Sequence, residues 1–356
     1  MAAYTTIDDP SAYFQTKIYT GTGSSNAFTL DGNSNLQPDW VWIKHRGEAH
    51  NHYLYDSVRG VQLKLSSNTT AAEIDMGSGS DAGLTAFGSN GFTIGGDTDE
   101  NASSESYVAW NWKAGGSASS NSNGSITSSV SANTTAGFSI VSYTGTGSNA
   151  TVGHGLGAVP KMIITKDRNN SNAWYVYHVG IGNTHGLRLS TTDAKEDDAT
   201  LWNDTTPTSS VFSVGSNTGT NRSSNPIIAY CFTNISGYSK FGGYTGNGNA
   251  NGTFVHTGFK PAFVLLKNAD EVEQWWIFDN KRNAYDGNFR YYSLNPNATS
   301  AEGTTSGDNN HIDFLSNGFK LRTTAQQLNG ASDNFIYMAF AESPFTNSNG
   351  TPNNAE

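Results

Sequence analysis

The chain repeats one pattern of landmarks three times, and this internal repeat limits its possible folds more than any other feature of the sequence. Each copy opens on a tyrosine and a glycine-rich turn, at Tyr19, Tyr143 and Tyr244. A proline follows after 17 to 19 residues, and a lysine stands six residues further on. These landmarks are Pro38, Pro160, Pro261, Lys44, Lys166 and Lys267. Such regular spacing indicates three copies of one structural unit.

Later landmarks continue the pattern and indicate β-structure. An aromatic run ends twelve residues after each lysine, at Asp56, His178 and Asp279. Each copy closes on an alanine followed by an aromatic residue, and we assign these alanines as Ala109, Ala229 and Ala339. The strand-like runs after the prolines are apolar on both alternating faces, which is typical of strands buried on both sides. The sequence therefore predicts an all-β chain of three tandem antiparallel β-sandwich domains.

Composition shifts set the expected boundaries between these units. The segment 114–124 is rich in glycine, serine and asparagine, which predicts a flexible linker. The predicted organisation is 1–113 for a first sandwich with an N-terminal arm, 114–124 for the linker, 125–235 and 236–345 for the second and third sandwiches, and 346–356 for a polar tail.

Composition and charge exclude several classes of protein. Aromatic residues make up 12% of the chain, which is more than disordered chains contain. A net charge of −10, with no cluster of Lys or Arg, argues against a nucleic-acid partner. Cys231 is the single cysteine, so no internal disulfide forms. The first ten residues lack the pattern of a secretory signal, and no apolar run reaches the length of a membrane span.

Several phrases of the chain resemble a repeated domain of virion proteins from marine and cyanobacterial phages. They are Tyr-Thr-Gly-Thr-Gly-Ser at 19–24 and 143–148, Gln-Pro-Asp-Trp-Val-Trp-Ile-Lys at 37–44, Asp-Ser-Val-Arg-Gly at 56–60 and Ile-Tyr-Met-Ala-Phe-Ala-Glu-Ser-Pro-Phe at 336–345. The resemblance extends from about residue 13 to 345. It implies a jelly-roll or concanavalin A-like lectin sandwich in a tail fibre, a receptor-binding appendage or the capsid exterior, and it carries no catalytic residues.

Two kinds of side-chain group invite a metal interpretation. The densest histidine group consists of His45, Glu48, His50 and His52, but its spacing matches no zinc signature. The acidic runs 97–101 and 196–198 offer oxygen atoms to calcium, but neither has the glycine and terminal glutamate of a known calcium loop. We therefore predict no metal and no cofactor. Because no acid pair recurs in all three copies and no Gly-x-Ser-x-Gly motif is present, we also predict no catalytic residues.

The aromatic runs supply the predicted ligand-binding residues: Trp174, Tyr175, Trp275 and Trp276. Alternation along a strand turns one of Trp275 and Trp276 inward and the other outward, and the outward ring can stack on a sugar. The three repeated lysines have two interpretations, as ligand-site residues or as strand-end residues that pack their stems and extend the ammonium group to a carboxylate or to solvent. We favour the structural interpretation.

The predicted function is that of a non-enzymatic phage structural adhesin that contacts host-surface glycan. The expected partners are other virion proteins and a second and third copy of the chain in a symmetric trimer, with no nucleic acid and no membrane insertion. Two alternatives stay open: a capsid-exterior decoration or head-fibre protein without a host ligand, and a polysaccharide depolymerase. The expected location is the virion, assembled in the host cytoplasm.

Overall fold

The computed structural model describes residues 4–282, 288–304 and 311–353. In this part of the chain almost all regular structure is antiparallel β-sheet, which confirms the all-β prediction. The first copy contains η1 (Pro10–Ala12), β1 (Phe14–Thr20), β2 (Asn26–Thr29), β3 (Trp40–His45), β4 (His52–Asp56), β5 (Gly60–Ser66), β6 (Ile74–Asp75), β7 (Leu84–Gly88), β8 (Gly91–Ile94), α1 (Thr98–Asn101) and β9 (Ser106–Trp112).

The second and third copies follow the same plan. The second contains β10 (Ser119–Asn121), β11 (Ser128–Asn133), β12 (Phe138–Thr144), β13 (Ala150–Gly153), β14 (Met162–Asp167), β15 (Tyr175–His178), β16 (Gly182–Arg188), β17 (Glu196–Asp197), α2 (Ala199–Trp202), β18 (Val211–Val214), α3 (Thr218–Asn221) and β19 (Pro226–Phe232). The third contains β20 (Ser239–Thr245), β21 (Phe254–His256), β22 (Phe259–Asn268), β23 (Trp275–Asp279), β24 (Phe289–Arg290), β25 (Tyr292–Ser293), β26 (Gly303–Thr304), β27 (Ile312–Leu315), β28 (Gly318–Leu321), α4 (Gln326–Asn329) and β29 (Asn334–Pro344).

Each copy has a large sheet with the same four central strands. The order is β1-β9-β3-β4 in the first copy, β12-β19-β14-β15 in the second and β20-β29-β22-β23 in the third. A smaller sheet accompanies each: β2-β8-β7, β13-β18 and β21-β28-β27-β24. Between the sheets of each copy lies an apolar cluster drawn from that copy alone, which we call its own core.

A fourth apolar cluster, here called the shared core, contains residues of all three copies. Along β3, Trp40 and Trp42 enter the shared core, whereas Val41 and Ile43 enter the own core of the first copy. The strands β14 and β22 alternate in the same way. Both faces of each large sheet are therefore covered, which confirms the prediction that these strands are buried on both sides.

The strand registers confirm that the prolines and lysines occupy matching places. Two residues after each proline, Trp40, Met162 and Phe263 pair with Trp112, Phe232 and Phe340 of the closing strands. The three lysines pair with Val108, Ile228 and Ile336.

The same registers correct one landmark. The residue of the third copy that matches Ala109 and Ala229 is Tyr337, two positions before the assigned Ala339. A tyrosine fits there because Gly242, rather than a larger residue, lies opposite it.

The predicted boundaries fit the structure unevenly. The segment 114–124, predicted as a flexible linker, contains the edge strand β10 and the buried Ala114. Gly115 lies so close to the backbone of Ala132 that a Cβ there would meet its oxygen at 2.4 Å, so this segment is packed against the second copy. The division into three separate domains stays a prediction, because the shared core joins all three copies.

The molecule has two distinct ends. At the terminal end, β1, β12 and β20 begin, and the N-terminal Thr5 donates to the carbonyl of Ser236 between the second and third copies. Ser348 of the C-terminal segment donates to Asp8 at the same end. At the opposite end, here called the loop end, the three lysine strands finish and the three glycine-rich turns lie.

The three copies form a closed ring of equivalent contacts. The backbone N–H of Glu73 donates to Arg168 of the second copy, that of Lys195 to Ala269 of the third, and that of Glu302 to Arg46 of the first, at 2.7, 2.8 and 2.8 Å. Each copy therefore contacts the next, and the third returns to the first. The chain has a cyclic pseudo-threefold arrangement within one polypeptide.

Candidate functional site

The loop end is built on a repeated hydrogen-bond network, here called the asparagine network, that explains the opening motif. The phenol groups of Tyr19, Tyr143 and Tyr244 donate to main-chain carbonyls in or beside the short helices, at 2.8, 2.5 and 2.7 Å. The residue after each of these carbonyls is a buried asparagine, and these are Asn101, Asn221 and Asn329.

Each of these asparagines uses both ends of its amide. The Nδ2 of Asn221 donates to the carbonyls of Ser148 and Gly215, both at 2.7 Å, and its Oδ1 accepts from the N–H of Thr146 at 2.8 Å. Asn101 and Asn329 make the equivalent bonds in their own copies. The asparagine network fixes the glycine-rich turn on the short helix. Sequence reasoning missed these asparagines, although one stands eight residues before each of the matching residues Ala109, Ala229 and Tyr337.

The repeated lysines are structural, and they extend to neither a carboxylate nor the surface. Lys44, Lys166 and Lys267 are fully buried, and each Nζ donates to the carbonyl of the next residue and to that of the residue four positions later. Burial lowers the pKa of each to about 8. The ammonium groups thus hold the loops that follow the strands.

The first copy adds charged groups to this scaffold that the other copies lack at the same positions. Lys64 lies 2.5 Å from the Oδ2 of Asp97 and 3.4 Å from the Oε1 of Glu100, and Tyr55 donates to the same oxygen of Glu100 at 2.6 Å. Glu100 is fully buried, and burial raises its pKa to about 7. The residues that replace Glu100 in the other copies are Thr220 and Leu328.

A second polar chain continues from this group to the surface. Asp99 accepts from Tyr53 and lies 2.9 Å from the Nδ1 of His50. The ring of His50 stacks on that of His45, with 4.8 Å between centroids. Together with Glu48, these two histidines place their ligand atoms within 4.8 Å of one another.

The geometry of His45 argues against a metal at this place. Its Nδ1 accepts from the backbone N–H groups of Gly47 and Glu48, at 3.1 and 3.0 Å. That nitrogen is therefore unprotonated and engaged, and in the neutral ring the proton lies on Nε2, facing Glu105 at 3.7 Å. A metal needs a free lone pair, which His45 offers only after losing both backbone bonds. His52 is fully buried and accepts from Trp42, so it lies apart from this group.

The two acidic runs also have structural partners. Asp97 accepts from the N–H of Asp99 and pairs with Lys64, while Asn101 belongs to the asparagine network. In the second run, Glu196 pairs with Arg188 at 2.5 Å, and Asp198 caps α2. These carboxylates serve ion pairs and helix caps.

The predicted ligand-binding aromatics divide into two kinds. Trp174 and Trp275 are fully buried, and their Nε1 atoms donate across copies to the carbonyls of Ser66 and Arg188, at 2.8 and 3.0 Å. They contact the neighbouring copy, so no ligand reaches them in this structure. Trp275 and Trp276 face opposite sides of β23 as expected, but Trp276 is half-buried against the own core of the third copy, as Tyr175 is against that of the second. The reason is that both faces of the large sheets are covered. The ligand-binding prediction remains for these two rings.

The landmark at Asp56, His178 and Asp279 joins neighbouring copies. The Oδ2 of Asp56 accepts from Arg59 and from Tyr230 of the second copy. The Oδ2 of Asp279 accepts from Arg282 and from Trp110 of the first copy. His178 instead uses its Nε2 against the carbonyl of Tyr337 of the third copy, at 3.1 Å, and burial lowers its pKa to about 4.

A family model matches nearly the whole chain. Residues 9–344 match the model of a domain of unknown function, DUF7483. No curated protein sequence matches. A solved structure described as "Crystal Structure of the STIV MCP" aligns over 92% of this chain and 95% of that one, at 9% identity and a TM-score of 0.16, which is too low to indicate a common fold. No helix in the described ranges has the length and apolarity of a bilayer crossing.

Proposed function

This chain belongs to the DUF7483 family, and we propose that it is a non-enzymatic structural adhesin on the exterior of a bacteriophage particle. Its terminal end attaches to other virion proteins, and its loop end faces the host surface. The resemblance of the opening and closing motifs to repeated phage virion domains supports the setting.

The separation of the two ends carries this proposal. The first and last described segments, the end of β9 and the junction between the second and third copies lie at the terminal end, and the segment 114–124 runs from there along β10 towards the loop end. The opposite end presents three sets of loops on one rigid scaffold, which is where binding residues are usually found. The charged groups confined to the first copy make one of these three loop sets chemically different from the others.

The ring of three copies affects whether the chain needs to form a trimer. Three equivalent units already surround one pseudo-threefold axis, so a single chain can cap a threefold appendage without a homotrimer. The predicted trimer stays a prediction, and light scattering on the purified chain would decide it.

The test of the proposal uses site-specific blocking. Cys231 is fully buried, so a single added surface cysteine can be labelled with a polymer. Val272, at the loop end, is 67% exposed, and Asn349, near the terminal end, is also exposed. We expect the polymer on Val272→Cys to abolish binding of the purified chain to host cells or a glycan array, and the polymer on Asn349→Cys to leave it intact.

Other outcomes would favour the alternatives. Binding to emptied capsids, with no binding to cells or glycans, would favour a decoration protein. Release of reducing sugar ends from host polysaccharide would favour a depolymerase. Loss of glycan binding only when Asn349→Cys is blocked would reverse the proposed orientation.

A further inference from the structure

A cavity of about 660 Å³ opens on the flank of the first copy, between the opening turn, the start of β5 and the segment that follows β6. All of its lining residues are uncharged, and most are glycine or serine. Those used in the argument below are Ser25, Val61, Gln62, Ser80 and Thr85. The cavity thus presents hydroxyl, amide and main-chain polar groups beside the apolar side chain of Val61, which is 40% exposed.

The same place in the second copy is closed. The N–H of Met76 donates to Gln62 in the first copy, and that of Asp198 donates to Thr184 in the second, so the two sites correspond residue by residue. Asn149 takes the place of Ser25 and donates to the Oδ1 of Asn203 at 2.6 Å.

Asn183 takes the place of Val61 and donates to the carbonyl of Asp204. In the second copy, two side-chain hydrogen bonds therefore span the gap that forms the cavity in the first copy.

Gln62 is conformationally unusual. Its φ is +67°, in the left-handed region that a residue with a side chain adopts only at a cost. Its Oε1 is shielded from solvent and accepts no hydrogen bond from the described part of the chain. Residues held in such a backbone conformation cluster at binding sites, and Gln62 lies in the lining of this cavity.

We propose that this cavity binds a neutral saccharide unit of the host glycan. The inference rests on the proposed adhesin function and places a saccharide site beside the opening turn of the first copy, which belongs to the loop end. Sugar hydroxyls pair with serine and threonine hydroxyls, main-chain groups and the Nε2 of Gln62, which is the accessible end of its amide, while the C–H face of the ring packs on Val61. An uncharged lining favours neutral sugars over acidic ones, because it contains no cationic side chain to offset the desolvation of a carboxylate.

The experiment measures binding of methyl glycosides of glucose, galactose, mannose and N-acetylglucosamine to the full chain by saturation-transfer NMR and titration. Val61→Trp fills the cavity and should weaken binding by tenfold or more. Gln62→Gly relieves the backbone strain while removing the amide, so it should fold at least as stably as the parent and bind about fivefold more weakly. Asn183→Trp, the same substitution at the matching position of the second copy, should leave binding unchanged.

The outcomes separate this site from the adhesin proposal. A glycoside that binds the parent and Val61→Trp equally well overturns the site, while the adhesin proposal stands. Binding lost in Asn183→Trp and kept in Val61→Trp places the site in the second copy and overturns the inference. If none of the four glycosides binds, the inference fails, and the cell and glycan-array test still decides the function.

Discussion

The repeated lysines lead to a prediction that the chain tests three times over. Burial lowers the pKa of Lys44, Lys166 and Lys267 from 10.5 to about 8 in the folded protein. In the unfolded chain each keeps its ordinary value. Between these two values the unfolded state therefore holds more protons than the folded state, and the free energy of unfolding must rise with pH.

The magnitude follows from the same values. Each lysine costs the folded state roughly 3 kcal/mol in full below about pH 8, and this cost disappears as the pH rises towards 10.5. From about pH 7.5 to about pH 9 the gain is slightly more than about 1 kcal/mol per lysine, or about 3 to 4 kcal/mol for three. Cys231 and the buried tyrosines act in the opposite direction, because burial raises their pKa values, and they subtract about 1 kcal/mol.

The assay is denaturant unfolding of the parent, of each single Lys→Met variant and of the triple variant at both pH values. Methionine keeps the volume of the stem and removes the titrating group. We expect each single variant to lose about 1 kcal/mol of the net rise, and the stability of the triple variant to fall by about 1 kcal/mol over the same range because Cys231 and the tyrosines remain. A parent whose stability stays flat or falls over this range, or a triple variant with the parent's slope, would refute the reasoning.

Three further predictions concern the loop end and the ring. Asn221→Ala removes three buried hydrogen bonds and should lower the free energy of unfolding by about 2 to 4 kcal/mol, whereas the exposed Asn123→Ala should change it by less than about 0.5 kcal/mol; thermal and denaturant unfolding measure both. The pKa of Glu100 is about 7 in the folded protein and 4.5 without the effect of folding, so Glu100 contributes stability below pH 4.5 that is lost as the pH rises to 7. Glu100→Gln should remove roughly 3 kcal/mol of that loss. Equal pH slopes of the free energy of unfolding in parent and variant would contradict this. Arg168→Ala breaks the ion pair between copies with Glu73, in which the two side chains are 18% and 11% exposed. It should lower the free energy of unfolding by about 1 to 3 kcal/mol, compared with less than about 1 kcal/mol for Lys17→Ala, whose partner Asp31 is exposed. Similar losses in the two variants would show that the interface pair is no stronger than a surface pair.

Much of the fold was predictable because the repeat fixes equivalent positions without a structure. Pro38 and Lys44 identify a strand buried on both sides, and the matching residues in the other copies repeat that evidence. The third closing strand was misassigned by two residues because Ala339 continues an apolar run in which every neighbour looks alike. Only the pairing of Tyr337 with Gly242 distinguishes the register.

The sites were less predictable because their partners lie in other copies. Trp174 carries the sequence signature of a surface aromatic, and only its bond to Ser66 of the first copy explains its burial. The substitution of His178 for the aspartates of the other copies makes sense once the carbonyl of Tyr337 is seen opposite it. Likewise the cavity beside Gln62 is open because Ser25 and Val61 stand where the second copy has Asn149 and Asn183, whose side chains form bridging hydrogen bonds.

The closed ring also limits how such a chain can change during evolution. An open array of repeats can gain or lose a unit at either end, because each unit contacts only its neighbours in sequence. Here Glu302, late in the chain, bonds to Arg46 near its start, so deleting one copy would leave two unmatched edges and open the tryptophan-lined centre to water. Adding one would change the angle at every junction. The number of copies is therefore fixed at three, and variation is confined to the loops, where each copy can acquire a different chemistry on an unchanged frame.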